Sequence, residues 1–329
     1  MARGSSTTGA IKLAGFRRRL LGWFHQHQRK LPWRGERDPY RILVSEVMLQ
    51  QTRVAVVEDR YKTFVAKFPT VEKLARAKEE SVLAAWSGLG YYRRARSLQR
   101  AAREIVARGV FPGSSTELVE LPGIGRYTAA AVASIAFDEP VAVVDGNVKR
   151  VLERVFAGHI SSGAGQEQYW DLSTRLLDRR RPGDFNQAMM ELGALVCLPG
   201  APLCHACPVR AICAARGPVA GKARQARRKA ILRYGLARKK NAVLLRKRPR
   251  TSSLMPGMWE LPQLEPPEEA MSVPILALRH SITNTDYTVY VHASRGRRTG
   301  RGRWFSLPAA RRLPLTGLAR KILERVADA

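Results

Sequence analysis

Residues 114–151 read SSTELVELPGIGRYTAAAVASIAFDEPVAVVDGNVKRV, and the fold follows from how this stretch is parsed. Ser114 followed by Glu117 makes a capping box, Pro122 with the Gly123 and Gly125 pair ends the short helix that follows, and the small residues from Thr128 to Ala136 restart one. The predicted order is helix, tight glycine hairpin, helix, a brief apolar passage, and then Asp145 set against the start of a further helix. Such a hairpin turns backbone N–H groups outward beside a helix N-terminus, an arrangement that suits an anion. Taken alone, LPGIG reads equally well as an ordinary connection between helices.

The charge says which anion to consider. Lys plus Arg number 57 against 27 Asp plus Glu, a formal charge of +30 over 329 residues, and the basic residues recur in clusters. A polyanion is therefore the expected partner. The length suits two or three domains, and the hydrophobic fraction of 45% is that of a globular chain. No run approaches the roughly 18 apolar residues of a membrane helix, and MARGSSTTGAIK has no apolar signal core.

Upstream of the hairpin, residues 1–15 read as a flexible tail. Phe16, Leu20, Leu21, Trp23 and Phe24 then recur at helical spacing, so a first helix ends before Pro32. Next comes LPWRGERDPYRILVSEVMLQQTRV, in which Glu46 falls within the apolar helical run from Ile42 to Leu49. A carboxyl group in such a place is costly unless it is protonated or paired. It reads either as a buried partner of a nearby arginine or as a general acid held protonated by burial. Glu191, in FNQAMMELGALV, poses the same question. Between them, Gly88-Leu89-Gly90-Tyr91-Tyr92 is a glycine-flexed loop with two aromatics, followed by Arg93, Arg94 and Arg96. Aromatics beside arginines suit nucleic acid, since a ring can wedge between bases while guanidinium groups hold phosphates; core aromatics at a helix start would look similar.

The cysteines give the sharpest signal. Cys197, Cys204, Cys207 and Cys213 are the only four in the protein, with six, two and five residues between successive members. Four thiolates in so short a span make a closed set for a metal centre, and the lack of others points to a reducing, intracellular setting. Zinc and an iron–sulfur cluster both accept four cysteines; the single close pair, Cys204 and Cys207, tilts the reading toward iron–sulfur.

Together LPGIGRYTAAAV, VDGNVKRV, PWRGERDPYRILVSEVMLQQT and the four-cysteine loop resemble the helix-hairpin-helix DNA glycosylases, and most closely the MutY family of adenine DNA glycosylases. The resemblance covers residues 16–216 and continues more weakly beyond. It implies a mainly α N-terminal catalytic domain with a [4Fe-4S] cluster on the four cysteines. The implied partner is duplex DNA holding 8-oxoguanine:A or G:A mispairs, from which adenine is excised. By the same resemblance Glu46 protonates the base, Asp145 stabilises the sugar cation and Asn147 supports it. Trp33, Arg34, Leu49 and Glu191 would line the adenine pocket. Gln51 and Tyr91 would enter the base stack, with Leu89, Gly123 and Gly125 among the other DNA contacts. Tyr127 stands where bifunctional relatives carry lysine, so a monofunctional enzyme without strong lyase activity is expected. The protein would act as a monomer in the cytoplasm, associated with the nucleoid and with no membrane partner.

After Arg216 the composition shifts. Residues 217–230 (GPVAGKARQARRKA) read as a basic linker, and 231–329 as an α+β Nudix-like domain for 8-oxoguanine recognition. Asn241–Leu245, Ile275–Ile282 and Tyr287–His292 have strand patterns, and Leu315–Val326 reads as a closing helix. MPGMWELP resembles a Nudix turn, but the run of glutamates that would hold magnesium is absent after Glu260, so pyrophosphate hydrolysis is not expected. Family members often show His-x-Phe-Ser-His in the sensing loop; here the residues are His280, Ser281, Ile282, Thr283 and Asn284, which lack the aromatic. Thr283 and Asn284 remain the expected contacts to the opposite base, and His292 reads as a strand residue. Two alternatives stay open: a thymine or uracil mismatch glycosylase of the same fold, and a non-catalytic iron–sulfur DNA-binding protein.

Overall fold

The computed structural model describes residues 5–160, 165–218, 226–264, 273–282, 284–294 and 302–327. The chain divides into two compact units, Met1–Ala75 with Ser97–Lys222, and Arg76–Arg96 with Ala223–Ala329. The second unit thus takes in a helical stretch that the sequence reading assigned to the N-terminal domain.

The first unit is helical: α1 (Ser5–His27), α2 (Pro39–Leu49), α3 (Val54–Lys67), α4 (Val71–Arg76), then, after α5 (Glu79–Ala85) of the other unit, α6 (Arg93–Arg108), α7 (Ser115–Leu118), α8 (Arg126–Ala136), α9 (Gly146–Val155), α10 (Gln166–Leu176) and α11 (Pro182–Leu195). The stretch expected to be a tail is helical from Ser5, because helix hydrogen bonds are local and propagate outward from the turns that Phe16, Leu20 and Leu21 anchor in the core. The capping box is present: the Ser114 hydroxyl accepts from the Glu117 N–H, and Glu117 Oε2 accepts from the Ser114 N–H at 3.1 Å. Gly123 turns the chain at φ +80°, and a Cβ there would lie 2.5 Å from Ser97 Cβ, so two separate constraints demand glycine.

Packing then fixes α9. Val148, Val151, Leu152 and Val155 point into a core with Phe16, Leu20, Phe24, Phe185, Met189 and Leu192. Each such side chain contributes about 1.5–3 kcal/mol by leaving water. That burial holds the N-terminus of α9, and with it Asp145, against α11.

The second unit carries mixed sheet structure. Strand β1 (Arg228–Leu236) runs parallel to β6 (Thr285–Ala293), which pairs antiparallel with β5 (Leu276–Ile282). A further group joins β2 (Arg238–Lys239), β3 (Ala242–Lys247), β4 (Trp259–Glu260) and β7 (Arg303–Ser306). Helices α12 (Leu307–Arg311) and α13 (Gly317–Ala327) follow, and Leu318, Ala319, Ile322 and Leu323 of α13 bury against Val243, Leu245, Val289 and Val291. The strands and closing helix expected here are present. The linker reading of 217–230 is corrected at its end, where β1 begins at Arg228. Its first residues are charged and exposed, so composition hid the strand; the ladder to β6, starting at Arg228↔Thr285, makes it. Residues 219–225 of that stretch lie outside the described residues.

Candidate active site

One cavity of about 510 Å³ in the first unit is lined by Trp33, Arg34, Glu46, Leu49, Gln51, Tyr127, Asp145, Asn147 and Glu191. The residues expected for catalysis and for the base pocket therefore surround a single space, although α2, α8, α9, α11 and the loop before α2 supply them separately.

Asp145 is held by its own helix. As N-cap of α9 it accepts from the Val148 N–H at 2.7 Å through Oδ1, and Oδ2 accepts from Asn147 Nδ2 at 2.9 Å. A carboxylate there satisfies orphan donors and faces the positive end of the helix dipole. Arg150, one turn on, donates to Asn147 Oδ1 at 2.8 Å, to the Gly193 carbonyl, and to the Cys197 carbonyl at 2.7 Å.

Glu46 sits in contrasting surroundings. It projects from α2, is 6% exposed, and accepts a 2.9 Å hydrogen bond from the Tyr127 hydroxyl. Burial pushes its carboxyl up to about 7; the Tyr127 hydrogen bond opposes that rise, the charge of Asp145 adds to it, and Arg34 draws it down. Burial also keeps the Tyr127 phenol neutral, well above its ordinary value, with Glu46 and Asp145 adding to the effect.

Glu191 is buried yet ionised. At 2% exposure its desolvation favours the neutral acid, but Arg29 offsets this through its backbone N–H (2.9 Å), Nε (2.8 Å) and Nη2 (2.9 Å), and Arg34 Nη2 adds a fourth bond at 3.0 Å. The net effect holds its carboxyl below the usual range. One cavity thus contains a carboxyl whose hold on its proton is strengthened by burial and a carboxylate whose hold is weakened by two arginines. Arg34 also bonds Gln187, which with Gln50 and Met190 lines the same space. Sequence reading did not single out Arg29, Gln187, Met190 or Arg150; only the demand that a buried Glu191 be paired pointed toward a nearby arginine.

The remaining residues lie as follows. Gln51 is exposed with φ +55°, and Gly125 is the N-cap of α8. In the second unit Tyr91 is 51% exposed while Leu89 is 4% exposed, which corrects the grouping of both on a DNA-facing surface: the glycines on either side let the backbone turn Leu89 inward. The neighbouring arginines are also engaged internally, Arg94 with the Leu89 and Gly90 carbonyls and Arg96 with Glu79 and the Pro256 carbonyl. Asn284 is exposed at the β5–β6 turn, and its carbonyl accepts from the Arg228 N–H. Thr283 lies outside the described residues. His292 is buried on β6, and burial, followed by Lys321, lowers the His280 pKa.

The cysteines follow α11 directly. None of the four is in a disulfide, and the loop is tied to α9 by Ala215 N–H to the Arg154 carbonyl at 2.9 Å and by Arg154 Nη1 to the Leu198 carbonyl, also at 2.9 Å. Burial pushes the Cys207 thiol up to about 11, with the other three thiols contributing through their charge. Among the described residues no three His, Cys, Asp or Glu side chains converge on one metal-ion position. The donor chemistry still suits a larger four-thiolate group: Cys197 and Cys204 accept from Arg154 Nη1 at 3.6 Å and the Gly217 N–H at 3.4 Å, the kind of donors that steady sulfur ligands.

Residues 44–168 match the family described as HhH-GPD superfamily base excision DNA repair protein. Over 63% of this chain and 97% of its own, the solved structure of a thermostable thymine-DNA glycosylase superposes with a TM-score of 0.58 at 29% identity. A trapped endonuclease III–DNA covalent intermediate superposes with a TM-score of 0.53 at 25% identity, covering 60% of this chain and 92% of that one. The motif resemblance to the MutY family is matched by similarity along the chain, which is 51% identical over 216 residues to the adenine DNA glycosylase of Rattus norvegicus, taking in 62% of this chain and 42% of that protein. The chain spans about two fifths of the length of the mammalian relatives it matches.

Proposed function

We propose that this protein is a monofunctional adenine DNA glycosylase, excising adenine mispaired with 8-oxoguanine or guanine in duplex DNA. The observation that carries the reading is the pair of unlike acids on one cavity: Glu46, desolvated so that it holds its proton up to about pH 7, and Asp145, capped by helix donors. Breaking an N-glycosidic bond leaves negative charge on the base and positive charge on the sugar, so one acid must donate and the other must be charged. The stacked adenine is first extruded, at a cost of a few kcal/mol. In the cavity Glu46 gives its proton to a ring nitrogen as the C–N electron pair moves to the base. Asp145, steadied by Asn147, stabilises the sugar cation until water adds to C1′ and leaves an abasic site. Tyr127 offers no amine, so no Schiff base forms there and the strand stays intact. Trp33, Leu49, Arg34 and ionised Glu191 would frame the base.

Cys197, Cys204, Cys207 and Cys213 would hold a [4Fe-4S] cluster, which would cross-link the loop carrying Arg210 and Arg216. The second unit is read as Nudix-like, supported by a mixed sheet with the parallel β1–β6 pair packed on α13. Its exposed Asn284 turn, with Thr283, would read the opposite base, and Tyr91 would enter the stack. The fold likeness to a thymine-DNA glycosylase favours the second reading, mismatch pyrimidine excision. Duplexes with A, T or U opposite G or 8-oxoguanine, incubated with protein and then treated with alkali, separate the two. Cleavage confined to the A strand, and only after alkali, supports the first; pyrimidine release or alkali-independent cleavage refutes it.

A further inference from the structure

Tyr91 has φ +44° between Gly88 (φ +97°) and Gly90 (φ +68°) on one side and the start of α6 on the other, so a half-exposed tyrosine is held in a left-handed conformation. Such strain persists only when the surroundings over-determine it. Part of that support is local: Arg94 Nη2 donates to the Leu89 carbonyl at 2.9 Å, and its guanidinium lies 5.5 Å from the Tyr91 ring centroid. The rest comes from the far end of the sequence, within the same unit. Arg320 Nε of α13 donates to Ser87 Oγ at 2.8 Å, and the Tyr92 hydroxyl donates to the Leu315 carbonyl at 3.3 Å. Both shoulders of the tyrosine loop are thus pinned to one short segment at the head of α13. That segment is in turn fixed to the sheet, since the Trp259 N–H donates to the Pro314 carbonyl and the Thr316 N–H to the Trp259 carbonyl, each at 2.9 Å.

We propose that Arg320 is a positioning residue for mispair engagement: through Ser87 it sets the conformation in which Tyr91 meets the base stack, so the C-terminal part of the chain acts on DNA partly through this loop. The proposal rests on the reading of Tyr91 given above. A bond that merely staples two segments would stabilise the unit without regard to whether residue 91 is an aromatic; a positioning bond matters only while Tyr91 is present.

A double-mutant cycle on the full chain tests this, using a duplex with one G:A mispair and 2-aminopurine beside the mispaired guanine. Affinity and 2-aminopurine fluorescence are read for Ser87→Ala, Arg320→Ala, Arg320→Lys, Tyr91→Ala and Tyr91→Ala/Arg320→Ala, with melting temperatures alongside. The expected result is that Arg320→Ala and Ser87→Ala each weaken mispair binding by about tenfold and blunt the fluorescence change, that lysine restores part of it, and that Arg320→Ala adds nothing once Tyr91 is alanine. Additive losses, or an Arg320→Ala protein that binds normally while Tyr91→Ala binds poorly, would overturn the proposal and leave the Tyr91 reading standing. Normal binding by Tyr91→Ala would sink that reading and the proposal with it.

Discussion

Gly193 of α11 lies so close to Asn147 of α9 that a Cβ placed on it would sit 2.7 Å from Asn147 Cβ and 2.9 Å from the Asn147 carbonyl oxygen. Asn147 is the residue that donates to Asp145 Oδ2, so this helix contact sets the height of the N-cap carboxylate in the cavity. Gly193→Ala is expected to fold but to shift Asn147 and Asp145 by a fraction of an ångström or more. Single-turnover excision should fall by about 10–100-fold with mispair affinity retained. An unchanged rate would show that the α9–α11 spacing does not govern the site.

The pH profile follows from Glu46. Its carboxyl titrates near 7 and must be protonated to donate, so single-turnover excision should fall by about tenfold per pH unit above that point. Because the Tyr127 hydrogen bond draws the Glu46 pKa down, Tyr127→Phe should move this limb to higher pH. A limb that stays put, or moves lower, contradicts the assignment of Glu46 as the acid.

The same burial predicts a stability effect. Glu46 binds its proton more tightly folded than unfolded, so its contribution is complete at low pH and is lost as pH rises from about 4.5 through about 7. Glu46→Gln removes that loss. Relative to the parent, its melting temperature should rise between pH 5 and pH 8, by up to about 3 kcal/mol in stability terms, while excision drops by about 10² or more. Parallel pH dependence of the two proteins in calorimetry would argue against a protonated buried acid.

Cluster loading is checked by colour. Purified protein should be brown, with about four irons per chain by elemental analysis if the thiols hold a [4Fe-4S] group. Cys204→Ser should bleach it and lower DNA affinity, whereas zinc in place of iron would correct the reading of the metal.

Affinity should also collapse with salt. If roughly six phosphates are held by this basic chain, a fourfold rise in salt lowers binding by about 10³ or more. A shallow slope would mean that the basic surface is not a DNA surface.

What the sequence determined by itself was whatever hydrogen bonds or spacing settle within a few residues. The capping box of Ser114 and Glu117, the turn at Gly123, the N-cap role of Asp145 and the clustering of four cysteines all belong here, as does the anomaly of an acid among Ile42, Val44 and Leu49. Tertiary structure alone decided which groups meet. No local pattern says that Glu191 is ionised by Arg29, some 160 residues away, or that Glu46 faces Tyr127 across the cavity; those protonation states depend on partners brought in by helix packing. Likewise β1 exists because β6 offers it a ladder, and the loop of Tyr91 is shaped by Arg320, more than two hundred residues downstream. The physical reason is one of range: caps and turns are closed by neighbouring backbone groups, while the charge of a buried acid is set by whatever the fold places against it.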